Sequence, residues 1–433
     1  MKGWLKRVFC LLLLGVSLML IGMQLLPRTV GAASRYEELQ LFTEVLALVR
    51  KSYVEEVPMK DLVYGAIDGM LTSLDPHSSF MPPEVYNELM VDTSGEFGGI
   101  GIEITLKEGL ITIVAPIEDT PAARAGLLAG DQIVKIDDEL TKEMSLMDAV
   151  KLMRGAKGEQ VTLGIFREGF SHPEAFTLVR EIIKVHSVKS RLLEPGYGYT
   201  RITQFQERTA TDLAEALDQL RGTSPEGLDG LVLDLRSNPG GLLDQAIGVS
   251  DLFLAHGMIV YTEGREEGSQ SKFTAHQRGT EPAYPIVVLI DGGSASASEI
   301  VAGALQDHGR AVVMGSQSFG KGSVQTIIPL SDDSGLRLTT ARYFTPNGTS
   351  IQARGITPDI VVGQVKLKEV KEPRILREKD LKNHIETPAA AGPDTDTVES
   401  EPVPEVKVDY VLQRALDLLK GWKILKGNVA AAS

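Results

Sequence analysis

The sequence of 433 residues has a single cysteine, Cys10, which excludes an intramolecular disulfide framework and a cysteine-ligated zinc site. Basic residues are also few, since 44 lysines and arginines stand against 58 acidic residues and give a formal net charge of −14. A chain this acidic is poorly suited to displace counterions from a phosphate backbone. We therefore expect no nucleic acid among its partners.

Histidine is scarce as well, with seven in the whole chain. They stand in turns, polar loops, the end of one helix and the start of a polar strand, and no positioning motif accompanies any of them. For each histidine we favour a surface or structural role over that of a catalytic base or a metal ligand. We expect neither a metal site nor a cofactor.

The long apolar run of the chain lies at its N-terminus. Three basic residues among the first seven precede an almost wholly apolar stretch at 8–26, and small residues suited to signal-peptidase cleavage follow at 30–33. The run is long for a signal core and just long enough to span a bilayer. Residues 1–33 are therefore a signal peptide or a membrane anchor, and either places the remainder outside the cytoplasm.

Composition and periodicity divide the rest of the chain. A helical region is predicted at 34–94 and short strands with glycine turns at 95–180. Strands and helices alternate through most of 181–365, which indicates an α/β layered domain. Charge, proline and small residues at 366–406 predict a flexible linker, and helical spacing returns within 407–433.

A serine-rich segment, Gly292–Glu299, joins a buried strand at 286–290 to a helix that is predicted from Ala297. Such a junction exposes a hydroxyl at the carboxyl edge of a sheet and directs the amides of the helix N-terminus at what lies in front. Acyl transfer requires both a nucleophile and backbone donors for the oxyanion. Helix capping remains an equal alternative for any one of these serines.

A lysine is the best available base for such a hydroxyl. Lys321 stands between Gly320 and Gly322 in a loop between apolar strands. Burial and a nearby helix N-terminus can lower a lysine pKa enough for the neutral amine to act as a base. Gln325, four residues on, could orient that amine. Taken alone, the loop favours a solvated lysine without a catalytic role.

The same loop is a near miss to the phosphate-binding pattern Gly-x4-Gly-Lys-Ser/Thr. It begins after a strand at Gly315, as that pattern requires. However, Gly322 stands where a magnesium-binding hydroxyl belongs, and residues 324–329 predict a strand rather than a helix. Phosphate binding is therefore the weaker interpretation of this loop.

The region 95–180 resembles a PDZ domain. Its most specific feature is the small-residue turn at 121–127 that leads into the strand pattern at 130–136. Consecutive backbone amides in the preceding glycine turn would suit a terminal carboxylate, and the adjoining strand edge could pair with an extended tail. A glycine-rich hairpin turn is the alternative. The predicted tail-binding residues are Gly99, Ile100, Gly101 and Ile102.

Two segments, 292–315 and 318–330, closely resemble the carboxyl-terminal processing peptidases, also called tail-specific proteases. The stretches at 233–243 and 71–81 and the inserted PDZ-like region fit that family too. The resemblance implies a multidomain α/β protein, with an α/β layered serine-protease core (181–365 with parts of 34–94), an inserted mainly-β PDZ-like domain and N-terminal helices.

The resemblance also implies site residues and partners. It makes Ser296 the nucleophile, Lys321 the base and Gln325 the group that orients the lysine. The backbone amides of Ala297 and Gly240 would bind the oxyanion. We expect protein substrates with free apolar C-termini and a homo-oligomer, with a dimer as the first candidate. A non-catalytic PDZ scaffold that only binds tails is the alternative function.

Overall fold

The computed structural model describes residues 30–266, 268–363 and 409–432. Most of the predicted signal or anchor segment and the whole predicted linker at 366–406 lie outside the described residues. Within the described ranges, every helix is too short or too polar to cross a lipid bilayer. The chain divides after Phe80 into two compact units.

The first unit is helical, as predicted for the start of the 34–94 region. Its helices are α1 (Val30–Ser52) and α2 (Met59–Thr72), and strand β1 (Ser79–Met81) begins at its end. Pro58 immediately precedes α2, where a residue without an amide hydrogen costs the helix no hydrogen bond. The ring of Phe80 packs on that of Tyr64, with 4.5 Å between their centroids.

The second unit opens with helix α3 (Pro83–Ser94), which has proline at its first position. It ends at Gly95, whose φ of +72° is the left-handed conformation that favours glycine. A Cβ atom at Gly95 would lie 2.7 Å from the Gln206 side chain, so the close approach also requires glycine.

The PDZ-like region forms one antiparallel sheet in the order β3-β4-β5-β7-β8, with β6 paired to β5. Its apolar core lies between this sheet and two helices. Strand β3 is an edge strand, so one row of its backbone groups is left for another partner. The elements are β3 (Ile102–Lys107), β4 (Leu110–Pro116), α4 (Pro121–Arg124), β5 (Gln132–Ile136), β6 (Glu139–Leu140), α5 (Leu146–Met153), β7 (Gln160–Phe166) and β8 (Glu174–Val179).

A two-stranded ribbon carries the chain into and out of this sheet. Strand β2 (Glu96–Gly99) enters and pairs antiparallel with β9 (Glu181–Lys184), which leaves. No other strand among the described residues pairs with either of them. The PDZ-like region is therefore tethered through a single narrow element.

The core of the second unit is a six-stranded sheet in the order β10-β11-β12-β15-β16-β19. Strands β11 to β19 of this sheet run parallel, and β10 is an antiparallel edge. Strands β12 and β15 are buried along their whole length, as the apolar sequence of β15 and the apolar run 231–233 of β12 predict. The strands are β10 (Val188–Glu194), β11 (Tyr197–Ile202), β12 (Gly230–Asp234), β15 (Ile286–Ile290), β16 (Val312–Gly315) and β19 (Ile360–Val361).

Helices cover both faces of this sheet and confirm the predicted α/β layered core. One face packs on α6 (Thr209–Gly222), α7 (Leu243–Asp251) and α8 (Ala297–Asp307). The other packs on the C-terminal helix α9 (Tyr410–Ala432). Among residues 410–426 of α9, the buried side chains are Val411, Ala415, Leu416 and Leu419.

A second sheet lies beside the core. In it β18 (Gly335–Phe344) pairs antiparallel with both β13 (Met258–Gly264) and β17 (Ser323–Pro329), and β13 pairs with β14 (Ser271–Thr274). Strands β17 and β18 form the hairpin that the sequence predicts around the polar turn at 331–335.

An ion pair joins α9 to the core sheet. Arg236, just beyond β12, places its guanidinium between the buried carboxylate of Asp234 and the carboxylate of Asp409, with N–O distances of 2.6 Å to each. The hydrogen bond from Arg236 lowers the pKa of Asp409, and partial burial opposes this effect. The start of α9 is thereby tied to the loop that follows β12.

We expect Asp409→Asn to lower the free energy of unfolding at neutral pH by about 0.5–1 kcal/mol, since the Asp409 side chain is 40% exposed and solvent screens the pair. Because the folded-state pKa is depressed, this stabilisation is present above the unfolded pKa of about 3.9 and is lost as pH falls through the folded value. Urea denaturation at several pH values measures both effects. Asp417→Asn, which breaks an exposed pair within α9, is the control, and an equal loss in both variants would contradict a docking role for Asp409.

Candidate functional site

Three loops meet at one edge of the core sheet. Strands β12, β15 and β16 are neighbours and run parallel, so the segments that follow them emerge on the same side. These segments are 235–242, 291–296 and 316–322. They contain the glycine turn, the serine-rich turn and the lysine loop that the sequence singles out, and they border a cavity of about 390 Å³.

Ser296 is held at this edge by an unusual backbone conformation. It precedes the first residue of α8 and has φ +55° and ψ −113°, a combination that non-glycine residues rarely adopt. Backbone strain of this kind persists only where surrounding contacts enforce it, and it is typical of active sites. The partly buried Ser296 side chain lines the cavity.

The other two serines of the segment have their hydroxyls engaged elsewhere. Ser294 Oγ donates to the Leu235 carbonyl oxygen at 2.8 Å, and Ser298 Oγ donates to the Asn238 carbonyl oxygen at 3.0 Å. Both serines are fully buried, and neither lines the cavity. The sequence left all three serines open on chemical grounds, whereas the structure exposes only Ser296 to the cavity.

Lys321 and Gln325 line the same cavity as Ser296. The amide nitrogen of Gln325 donates to Ser323 Oγ at 2.9 Å and, more weakly, to Thr339 Oγ1 at 3.4 Å. This leaves the amide oxygen of Gln325 as the atom that can accept a hydrogen bond from an amine. The loop around Lys321 leads into strand β17 rather than a helix, which removes the main structural requirement for phosphate binding.

Glu299 connects the serine turn to the lysine loop, and sequence reasoning missed this residue. Its carboxylate is fully buried. One oxygen accepts hydrogen bonds from the backbone amides of Ser296 at 2.7 Å and Lys321 at 2.9 Å. The other accepts from Ser318 Oγ at 2.6 Å and from the Gly320 amide at 2.7 Å.

Burial raises the pKa of Glu299, and its four hydrogen-bond donors partly offset that rise. One feature of the sequence could have identified Glu299. It stands three residues after Ser296 at the start of a helix, which is the spacing of a capping box. The Glu299 carboxylate accepts a hydrogen bond from the Ser296 amide, as in a capping box, and it also accepts hydrogen bonds from the lysine loop.

Tyr343, on β18, is a second residue that sequence reasoning missed. Its hydroxyl donates to the Lys321 carbonyl oxygen, and its side chain lines the cavity together with Ser296. Burial raises the pKa of Tyr343 well above its ordinary value, and the nearby Glu299 adds to the rise. The phenol is therefore neutral at physiological pH and can position its neighbours but not act as a phenolate base.

The predicted oxyanion donors lie beside Ser296. A Cβ atom at Gly240 would come within 3.0 Å of the Ala297 amide nitrogen, so the two backbone segments are in contact and only glycine fits. However, the Gly240 amide donates to Asn238 Oδ1 at 2.9 Å in this conformation. Gly241 lines the cavity, and its amide has no acceptor within the part of the chain that the structure describes. The role of the Gly240 amide in binding the oxyanion stays a prediction, and the Gly241 amide is a second candidate for that role.

The predicted tail-binding turn connects β2 to β3. The amides of Ile100 and Gly101 donate to no acceptor among residues 30–266, 268–363 and 409–432. Gly99 belongs to the tether strand β2 and Ile102 begins the edge strand β3, opposite Pro116. Two free amides thus adjoin an open strand edge, which is the geometry that binding of a terminal carboxylate requires.

Glu299→Gln should test the connection between the two loops. An amide must present its NH₂ group to at least one pair of the four donors, so we expect kcat to fall by at least about 10²-fold through misplaced groups. Loss of buried hydrogen bonds should also lower stability by about 1–3 kcal/mol. Steady-state kinetics and thermal unfolding measure the two effects. Glu168→Gln, on an exposed loop, is the matched control, and an unchanged kcat in Glu299→Gln would contradict the positioning role.

Three stretches of the chain match known protein families. Residues 196–362 match peptidase family S41, and residues 112–167 match the PDZ domain. Residues 23–85 match the N-terminal domain of the activating protease CtpB. These matches confirm the PDZ resemblance and follow the order of parts that the sequence predicts.

Relatives of similar length support the same family. The carboxy-terminal-processing protease of Bartonella bacilliformis is 49% identical over 388 residues, which cover 89% of this chain and 89% of that protein. The carboxyl-terminal-processing protease of Synechocystis sp. is 38% identical over 387 residues, which cover 83% and 90%. The solved photosystem II D1 C-terminal processing protease shares 34% identity, with a TM-score of 0.44 and coverage of 73% of this chain and 86% of that one. The identity and coverage of the Bartonella and Synechocystis proteins show that the chain belongs to the carboxyl-terminal processing proteases of peptidase family S41.

Proposed function

We propose that this protein is an extracytoplasmic serine endopeptidase that cleaves protein substrates near their C-termini with Ser296 and Lys321. The observation that carries the proposal is the cavity at the sheet edge. It is lined by Ser296, Lys321 and Gln325 together, whereas the hydroxyls of Ser294 and Ser298 are buried and engaged. Membership of the family supports the same reaction.

In the proposed reaction, neutral Lys321 accepts the hydroxyl proton as Ser296 Oγ attacks the scissile carbonyl carbon. The oxyanion that forms is stabilised by the Ala297 amide and by an amide of Gly240 or Gly241. Lys321 then returns the proton to the leaving amine, and an acyl-enzyme remains. Lys321 then accepts a proton from water as the water oxygen attacks the ester carbon; the bond to Ser296 Oγ breaks, and Lys321 returns the proton to Oγ, which restores the serine and the neutral lysine. The oxygen of the Gln325 amide would orient the lysine amine.

The PDZ-like domain would recognise the tail of the substrate. A free terminal carboxylate would accept hydrogen bonds in the turn at 99–102, and the apolar tail would extend β3 as an added strand beside α5. The unpaired amides of Ile100 and Gly101 and the open edge of β3 support this binding mode. A scaffold that only binds tails shares these features but has no use for the cavity around Ser296.

Helix α3 gives tail binding a route to the active site, because it borders both regions. One side lines the catalytic cavity through Leu89, Met90 and Thr93. Another side lines a cavity of about 520 Å³ that it shares with the PDZ helix α5. A change in the position of α5 would therefore act on a wall of the catalytic cavity.

Hydrogen bonds extend this connection to the glycine turn beside Ser296. The Gln206 side chain donates to the Asp92 carbonyl oxygen, near the end of α3, at 3.1 Å. The preceding residue, Phe205, donates its amide to the Gly240 carbonyl oxygen at 2.9 Å. We therefore place Gln206 between the tether of the PDZ-like domain and the proposed oxyanion amides.

The location and assembly of the protein remain predictions. The basic and apolar N-terminal sequence supports an extracytoplasmic position, either membrane-anchored or secreted. A homo-oligomer, with a dimer as the first candidate, is expected from the family resemblance.

Ser296→Ala and Lys321→Ala should each abolish cleavage of an unstructured protein with an apolar tail. Lys321→Arg should be equally inactive, because a guanidinium stays protonated and cannot accept the serine proton. Gel-based cleavage assays on proteins with matching circular dichroism spectra measure these losses. Ser298→Ala is the control, since it removes only a buried hydroxyl and should keep most of the activity. A wild-type rate of cleavage by Ser296→Ala would contradict the assignment of Ser296 as the nucleophile.

Amidation of the substrate C-terminus should lower kcat/KM by about tenfold or more, because the amides at Ile100 and Gly101 lose a charged acceptor. Paired substrates that differ only in this group test the effect. Equal cleavage of free and amidated tails by the wild-type enzyme would contradict recognition of the terminal carboxylate by the PDZ-like domain.

In Gln206→Ala we expect the tail to bind the enzyme as before but to accelerate cleavage less.

A further inference from the structure

The charged side chains that line the catalytic cavity are all basic. Among the described residues that line it, Lys321 and Arg337 are basic and none is acidic. This is unexpected in a chain with a formal net charge of −14. Glu299 does not line the cavity, and its two oxygens accept four hydrogen bonds from the surrounding loops, so neither oxygen is available to a ligand in the cavity.

The hairpin β17–β18 explains why Arg337 lies in this cavity. Gln325 stands opposite Thr339, and Ile327 stands opposite Arg337. Residues directly opposite in an antiparallel pair share a face, as do residues two apart along a strand. Arg337 therefore shares the face of Gln325, one side-chain position further along the hairpin.

The guanidinium of Arg337 is available to a ligand. It makes no hydrogen bond or ion pair with any residue in the described part of the chain, and its side chain is only partly buried. An arginine remains charged at every physiological pH, whereas Lys321 must be neutral to act as a base. In the reactive form of the proposed enzyme, Arg337 is then the permanent positive charge of the cavity.

We propose that Arg337 binds a carboxylate of the substrate close to the scissile bond and so sets a preference of the active site that is separate from tail recognition by the PDZ-like domain. This proposal rests on the proposed function. The planar guanidinium can hold a carboxylate through two parallel hydrogen bonds. The carboxylate can come from an aspartate or glutamate side chain or from the free terminus of a short product-side segment.

Fluorogenic peptides separate these sources. One series places glutamate or glutamine at each position on either side of the scissile bond, within a long tail of constant sequence. A second series shortens the product-side segment and ends in a free carboxylate or an amide. We expect kcat/KM of the wild-type enzyme to favour the carboxylate by about tenfold at one position in one of the series, as a charge-assisted pair allows.

In Arg337→Gln the ratio of kcat/KM for the carboxylate peptide to that for its neutral counterpart should fall to about one. In Arg337→Lys part of the preference for the carboxylate should persist. Arg342→Gln, on the same strand and exposed, is the control and should keep the wild-type ratio. Anisotropy measurements of peptide binding to Ser296→Ala, with and without Arg337→Gln, report the same preference in the absence of turnover.

A wild-type enzyme with no carboxylate preference in either series would overturn the proposal, as would a preference that survives in Arg337→Gln. If Ser296-dependent cleavage continues in that case, the proposed function stands and only the role of Arg337 fails. If no peptide or protein is cleaved in a Ser296-dependent way, both fail.

Discussion

The buried carboxylate of Glu299 is the contact on which the arrangement of the site depends. Ser296 and Lys321 belong to loops that follow different strands, β15 and β16, and neither loop has regular secondary structure. Four hydrogen bonds to one side chain fix the serine turn and the lysine loop relative to each other. Burial makes this carboxylate costly, as its raised pKa shows, and its retention is understandable if positioning outweighs the cost in stability.

The parallel sheet supplies the second constraint. Because β12, β15 and β16 are adjacent and parallel, three loops with different tasks emerge together: glycines for close backbone approach, a strained serine and a lysine. Helices pack on both faces of this sheet. The C-terminal helix α9 also contacts this edge, although it is distant in the sequence. Asp409, at its start, forms an ion pair with Arg236 in the loop that leads from β12 to the glycine turn.

The sequence predicts the elements around the site well because their signals are local. The unbroken apolar run at 286–290 and the helical spacing after Ala297 correspond to β15 and α8, and the hairpin around 331–335 has the expected strands. The contributions of Glu299 and Tyr343 depend on contacts between elements. Neither was identified, because a glutamate in a first helical turn and a tyrosine in a strand have ordinary local explanations.

Gly240 illustrates the same limit, since only the structure shows that its amide donates to Asn238 Oδ1, whereas Gly241 lines the cavity and its amide has no acceptor in the described part of the chain. The choice among three serines is similar. Spacing alone treats Ser294, Ser296 and Ser298 alike, and the family resemblance selects the middle one. The hydrogen bonds of the outer two give a physical reason for that selection, because a hydroxyl held by a buried carbonyl is not available for attack.

The central claim is that Ser296 is a nucleophile activated by Lys321. A peptidyl phosphonate, which forms a stable ester with an activated serine, tests this claim directly when peptide mass spectrometry locates the adduct. We predict an adduct on Ser296, formed faster as rising pH increases the neutral fraction of Lys321, and almost none in Lys321→Ala. An adduct on Ser294 or Ser298, or equal labelling with and without Lys321, would contradict it.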